Sequence, residues 1–131
     1  MAGTIVADTI QDGAGNSTAM DNAIYGSAKA WVNFNGVTPA VTSSYNVSSV
    51  TRQATGQYTI TMTNALTDKN YVVVGSCING TTPTVNGLAI MGGSDVTGTG
   101  PNTQTTTVFY VGTFANGAFA TLPVNNVVVF R

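Results

Sequence analysis

Polar and apolar residues alternate most strictly at Gln57–Thr63, where Tyr58, Ile60 and Met62 interleave with Thr59, Thr61 and Thr63. Period two puts the first set on one face of a strand and the second on the other. This is the pattern of an antiparallel strand with one packed and one wetted face. Upstream, Tyr45–Thr51 is rich in strand formers, but its apolar positions, Tyr45, Val47 and Val50, fall out of step, predicting a bulge or an edge strand. Ala54-Thr55-Gly56 joins the two runs as a short hairpin loop in which Gly56 takes positive φ. Asn70–Ile78 is nearly continuous in apolar residues and is expected to be covered on both faces. Before it, Leu66–Asn70 carries side chains that close a turn through Asx-type hydrogen bonds. Ser44–Cys77 is therefore predicted to form a three-stranded antiparallel meander.

The flanking segments follow the same logic. Lys29–Asn35 alternates Ala30, Val32 and Phe34 with Trp31, Asn33 and Asn35, and Gly36-Val37-Thr38-Pro39 breaks it. Leu88–Gly92 is expected to be a short buried strand and Thr105–Ala115 a long one. Asn116-Gly117 is the clearest hairpin dipeptide, Ala118–Leu122 returns, Pro123 interrupts, and Asn126–Phe130 closes the chain. Asn79–Gly87 and Gly93–Gln104 are loops, the second nearly without apolar anchors, and such loops on a rigid scaffold carry binding surfaces. With about seven to nine strands and no amphipathic helix, the predicted fold is all-β, an antiparallel β-sandwich over residues 28–131. Residues 1–27 form an N-terminal arm, turn-rich and with little to bury. Ile5, Val6, Ile10, Met20, Ile24 and Tyr25 are the apolar anchors spaced along it.

Charge alters this picture more than hydropathy does. Nine of 131 residues are charged, 7% against a typical ~25%, with no Glu and no His. A net charge of −1 gives a lone monomer little colloidal protection, so much of the surface is expected to be covered by copies of the chain or by a larger assembly. Four scattered basic residues make no phosphate-binding patch, which argues against a nucleic-acid partner. No run is long and apolar enough for a spanning helix, so membrane insertion is not expected. No secretory signal is legible either, and the sequons at Asn16, Asn46 and Asn79 read as products of an Asn/Ser/Thr-rich composition.

Candidate chemistry is sparse. Without His, Ser-His-Asp and Cys-His catalysis and imidazole-based zinc sites are excluded. Of the five Asp, Asp68 lies in a turn, Asp95 in a Gly-rich loop, and Asp8, Asp12 and Asp21 in the arm. None sits in an apolar frame that would raise its pKa for acid catalysis. Asp95 with neighbouring carbonyls would make at most a weak Ca²⁺ site, and no cofactor is expected. Cys77 reads as a small buried hydrophobe. Trp31, opposite the aliphatic face of its strand, is either a packing residue at an interface or a stacking platform for a ligand, with packing favoured. Asp95 and Asn102 in the second loop are the other candidate ligand or interface residues.

The runs KAWVNFNG (Lys29–Gly36), SYNVSSV (Ser44–Val50) and TGQYTITMTNALTDKNYVVVGS (Thr55–Ser76) resemble a bacteriophage structural module. Such modules form the distal domains of tail fibres and tailspikes and occur in small stand-alone virion proteins. The matching positions are Ala30, Trp31, Val32, Phe34, Asn35, Gly36, Tyr45, Val47, Gly56, Tyr58, Asp68, Asn70, Tyr71 and Val73, about the middle third of the chain. GTIVADTIQ near the N-terminus echoes it more loosely. None of these positions is a catalytic signature.

The resemblance implies a non-enzymatic homotrimer. It also implies a place on the virion, made in the host cytoplasm and carried on the outer capsid surface or at a tail-fibre tip. Starting at Met with only a short arm before the domain, the chain reads as a whole gene product with no shaft or adaptor. That favours a capsid cement or decoration protein, whose partners are itself and the major capsid protein. Ile5, Val6, Ile10, Ile24 and Tyr25 are then the expected docking residues. The alternatives are the receptor-binding knob of a fibre, contacting a host-surface glycan, and a free carbohydrate-binding module.

Overall fold

The computed structural model describes residues 3, 6–80, 86–90, 93–94, 101–102 and 104–131. Near the N-terminus lie β1 (Thr9–Gln11), β2 (Ser17–Ala19) and α1 (Met20–Gly26). Then follow β3 (Ala28–Asn35), β4 (Ala40–Tyr45), β5 (Val47–Ala54), β6 (Gln57–Met62), β7 (Val72–Ile78) and β8 (Asn86–Ile90). Last come β9 (Gly93–Ser94), β10 (Pro101–Asn102), β11 (Val108–Ala115), β12 (Ala118–Phe119) and β13 (Val124–Phe130). The fold is all-β, and every ladder among the described residues is antiparallel. Eight of these strands have five or more residues.

One sheet has the order β4-β3-β13-β7. The other has the order β12-β11-β6-β5, with β8 also on β11. Val111 and Gly112 pair with β6 and β8 at once, so these two strands take opposite edges of β11. β12 pairs with Phe114 and Ala115 beyond the end of β6 and continues its line. Two short ribbons, β1-β2 and β9-β10, stand apart from both sheets.

The strict alternation does what period two requires. Tyr58, Ile60 and Met62 on β6 are buried while their threonine neighbours are not, and Ala30, Val32 and Phe34 on β3 behave likewise. Val127 and Val129 from β13 and Phe109 and Val111 from β11 join them in one buried cluster drawn from both sheets. Phe34 meets Tyr58 edge-on with ring centroids 5.0 Å apart, a favourable T-shaped geometry.

A polar clamp closes one end of this cluster. Gly36 N–H donates to the Leu122 carbonyl at 3.0 Å. The Tyr58 hydroxyl donates to the Gly36 carbonyl at 3.1 Å, and Asn125 Nδ2 donates to the Leu122 carbonyl at 2.9 Å. Beside it, Thr113 Oγ1 donates to the Ala120 carbonyl at 2.6 Å, and Thr113 N–H donates to Gly56 at 2.7 Å. Burial raises the pKa of Tyr58 and, to about 12, that of Tyr71, so both remain donors; Tyr71 donates to the Thr105 carbonyl at 2.9 Å. Gly36, Gly56, Tyr58 and Tyr71 thus serve closure of the fold.

The turns follow their local chemistry. Gly56 has φ 66°, and Asn116-Gly117 has φ 51° and 83°, the pair of left-handed residues that a type I′ hairpin turn requires. Asp68 Oδ1 accepts from Asn70 N–H at 2.7 Å, the expected Asx turn. The ladder of β5 shifts register between Val47 and Ser49 and again between Arg52 and Ala54, and β5 ends its sheet, so the broken pattern marked both a bulge and an edge.

Four expectations are corrected. The meander is incomplete: β5 and β6 pair, but β7 leaves for the other sheet and pairs with β13. The free edge of β6 is taken by β11, and the long connection Thr63–Tyr71 lets the chain cross over. Second, Tyr45 is not on the strand of Val47. Asn46, at φ 54°, turns the chain from β4 in one sheet to β5 in the other, and its side chain holds the corner by accepting from Asn64 N–H at 2.8 Å. Third, β7 and β8 are not covered on both faces: Val72, Val74 and Ile78 are 62%, 47% and 52% exposed, and Leu88 is half-buried. Fourth, MDNAIYG in the arm forms the helix α1, where only turns were expected.

Candidate interaction surfaces

The arm is ordered by its own short-range bonds. The Asp12 carboxylate accepts from the backbone N–H groups of Ala14 and Asn16, each at 2.9 Å, and from Asn16 Nδ2, which lowers its pKa and closes the β1–β2 turn. Met20 N–H donates to the Asp8 carbonyl at 2.8 Å, tying the start of α1 to the ribbon. At the far end, Lys29 Nζ donates to the Ile24 carbonyl and to Ser27 Oγ. Every residue of β1 and β2 is exposed, and among the described residues β1 pairs with β2 alone. Of the predicted docking side chains, Val6 is 93% exposed, Ile10, Ile24 and Tyr25 are also exposed, and Ile5 lies outside the described residues.

Trp31 lies on the outer face of the β4-β3-β13-β7 sheet, 37% exposed. The register aligns Tyr45, Trp31, Val128 and Val74 in one row across all four strands. The next row is polar: Ser43, Asn33, Asn126 and Ser76. Asn33 Nδ2 donates to Asn126 Oδ1 at 2.6 Å, and Asn126 Nδ2 donates to Ser76 Oγ at 3.3 Å. No position in either row is charged. Sequence reasoning singled out Trp31 but missed the row. The available signal was the apolar residues Val72 and Val74, which fall on the opposite face of β7 from Val73 once the strand is placed at an edge.

The second loop is represented only by its ends. Asp95 lies outside the described residues, and Asn102 pairs through its backbone with Gly93 in the β9–β10 ribbon. The described part of Asn79–Gly87 is likewise limited to residues 79–80 and 86–87.

Asp68, Arg131 and Cys77 make structural contacts. Arg131 grips Asp68 with two bonds, Nε to Oδ1 at 2.9 Å and Nη2 to Oδ2. That pairing, with the Asn70 N–H bond, pulls the Asp68 pKa down to about 2 and ties the C-terminus to the β6–β7 connection. A carboxyl so lowered is an anion at neutral pH, unsuited to donating a proton. Cys77 is half-buried on the inner side of β7, and burial raises its pKa, so the thiol stays protonated and weakly nucleophilic at neutral pH. Among the described residues no three His, Cys, Asp or Glu side chains gather to hold a metal, and no helix is long and apolar enough to cross a membrane. Comparison with protein-family models, curated proteins and solved structures finds no match to this chain.

Proposed function

We propose that this chain is a non-enzymatic structural protein of a bacteriophage virion, a cement or decoration protein on the outer capsid surface. In this reading residues 28–131 form a β-sandwich knob that assembles as a homotrimer, and the arm docks it on the major capsid protein. The exposed arm is the observation that carries the proposal. Ile10, Ile24 and Tyr25 stand in solvent on a ribbon and helix that are strand-paired with neither sheet, and Val6 is exposed just before the ribbon. The sandwich is supported by the single buried cluster shared between the sheets, and the virion assignment by the sequence resemblance.

Burying a Val or Ile side chain contributes about 1.5–3 kcal/mol, offset by about 1–2 kcal/mol for each backbone residue that becomes ordered. One arm therefore grips weakly, while three arms of a trimer engage a shell together at high effective concentration. The test adds intact protein and protein lacking residues 1–11 to undecorated capsids and measures occupancy after pelleting. Loss of occupancy by a folded truncated protein is expected; equal occupancy would refute docking through the arm.

One observation favours the receptor-knob reading as an alternative. Trp31 and Tyr45 pair across β3 and β4 beside the Asn33–Asn126 amides, which offers a flat apolar surface next to hydrogen-bonding groups for a neutral glycan. Selective signals on a glycan array that disappear in Trp31→Ala would establish it, and a blank array would remove it.

A further inference from the structure

We propose that β7 is a homotypic pairing edge, joining a second copy of this chain strand to strand about a two-fold axis. The inference does not rest on the virion reading. It comes from comparing the strands that end the two sheets. An open edge presents unpaired N–H and C=O groups to any passing strand, and proteins ordinarily block it with bulges, charges, proline or brevity. β4 is interrupted by a register shift opposite Asn33 and Phe34. β5 has two register shifts and carries Arg52. β8 is five residues long.

β7 has none of these protections. Its seven residues, VVVGSCI, contain no charge and no proline. Its register with β13 runs unbroken from Ile78↔Val124 to Val72↔Phe130, and among the described residues it pairs with β13 alone. Val72, Val74, Ser76 and Ile78 are all exposed, so the strand is reachable from outside. Its valines are strong strand formers.

A second copy is the occupant that this edge fits. Antiparallel pairing about a two-fold sets β7 against itself, in the sense of every other ladder in the molecule, and brings no like charges together. The backbone groups on the free side gain partners. The outer rows Val74–Val128–Trp31–Tyr45 and Val72–Phe130 then continue into their copies across an eight-stranded sheet. Apolar side chains flanking the new seam thereby lose water contact, which the single chain leaves to them.

The test compares wild type, Val74→Lys, Val72→Lys and the β4 control Ser43→Lys by sedimentation velocity from low to high micromolar concentration. Circular dichroism verifies that each is folded; all three positions are exposed, so the substitutions burden the interior little. Wild type and Ser43→Lys are expected to form even-numbered assemblies, either a dimer or two trimers joined through β7. Either β7 lysine should weaken them by about tenfold or more, since a charged side chain on an edge strand opposes strand addition whatever the register of the pair. Hydrogen exchange should show concentration-dependent protection within Val72–Ile78 in wild type and Ser43→Lys, and not in the two β7 lysine variants. A wild type that stays monomeric, or assemblies that both β7 lysines leave intact, would overturn the inference. A trimer unaffected by the lysines would refute the edge and keep the trimer reading. A dimer abolished by them would support the edge and refute the trimer.

Discussion

Gly36→Ala tests whether the polar clamp, and not the apolar cluster alone, holds the two sheets in register. A Cβ added at Gly36 would lie 2.4 Å from Tyr58 Oη, 2.6 Å from the Leu122 carbonyl oxygen and 2.8 Å from Asn125 Nδ2. All three atoms take part in the hydrogen bonds that surround Gly36. Relief by shifting the tyrosine alone is insufficient, because the Leu122 oxygen is backbone and is held from two directions. Overpacking typically costs about 1–3 kcal/mol, and each broken bond adds about 0.5–1.5 kcal/mol net. With two or three bonds disturbed, the substitution should cost about 3–6 kcal/mol, much of the ~5–15 kcal/mol that a domain of this size has. Tyr58→Phe, which only removes a donor from the Gly36 carbonyl, should cost about 1–3 kcal/mol. The double variant should be less destabilised than the sum, because the phenylalanine removes the nearest clashing atom. The measurement is urea unfolding by circular dichroism at one fixed protein concentration, since assembly makes apparent stability concentration-dependent. A cost below about 1 kcal/mol for Gly36→Ala would refute the argument, as would additivity within about 0.5 kcal/mol.

Three further outcomes are expected. Ile60→Ala, at a fully buried site, should cost about 2–5 kcal/mol, and Thr61→Ala on the opposite face less than about 1 kcal/mol; equal denaturant midpoints would contradict the face assignment. Gly117→Ala, at φ 83° with open space around it, should cost only the left-handed backbone penalty of about 1–2 kcal/mol. Gly56→Ala, at φ 66° with backbone atoms at 2.6–2.8 Å from the added Cβ, should cost clearly more in thermal melts. Asp68 has its folded pKa lowered to about 2 from 3.8, so the unfolded chain takes up the proton first as pH falls. Its stabilisation is complete above about pH 4 and is lost between about 4 and 2, and Asp68→Asn should flatten that limb of an acid titration.

The sequence by itself determined the local geometry. Alternation assigned the buried faces of β3 and β6 residue by residue, because side-chain direction along a strand has period two whatever the strand pairs with. The positive φ at Gly56, the Asn116-Gly117 turn and the Asp68 Asx turn were equally legible, since each depends on one or two residues and their own backbone. The helix at Met20–Gly26 was not legible: seven residues hold too little periodicity to announce one.

Tertiary structure decided which strand lies beside which. The run Asn70–Ile78 carries no mark saying that β7 joins β13 instead of β6; that depends on β11 having filled the edge of β6, a contact about fifty residues away in sequence. A continuous apolar run is compatible with a central strand or an edge strand, so the exposure of Val72, Val74 and Ile78 followed only from the order of the finished sheet. The same holds for the row that aligns Tyr45, Trp31, Val128 and Val74, and for the clamp that brings Gly36, Tyr58, Leu122 and Asn125 together. Each is assembled from separate segments, and no local pattern encodes the register that places them side by side.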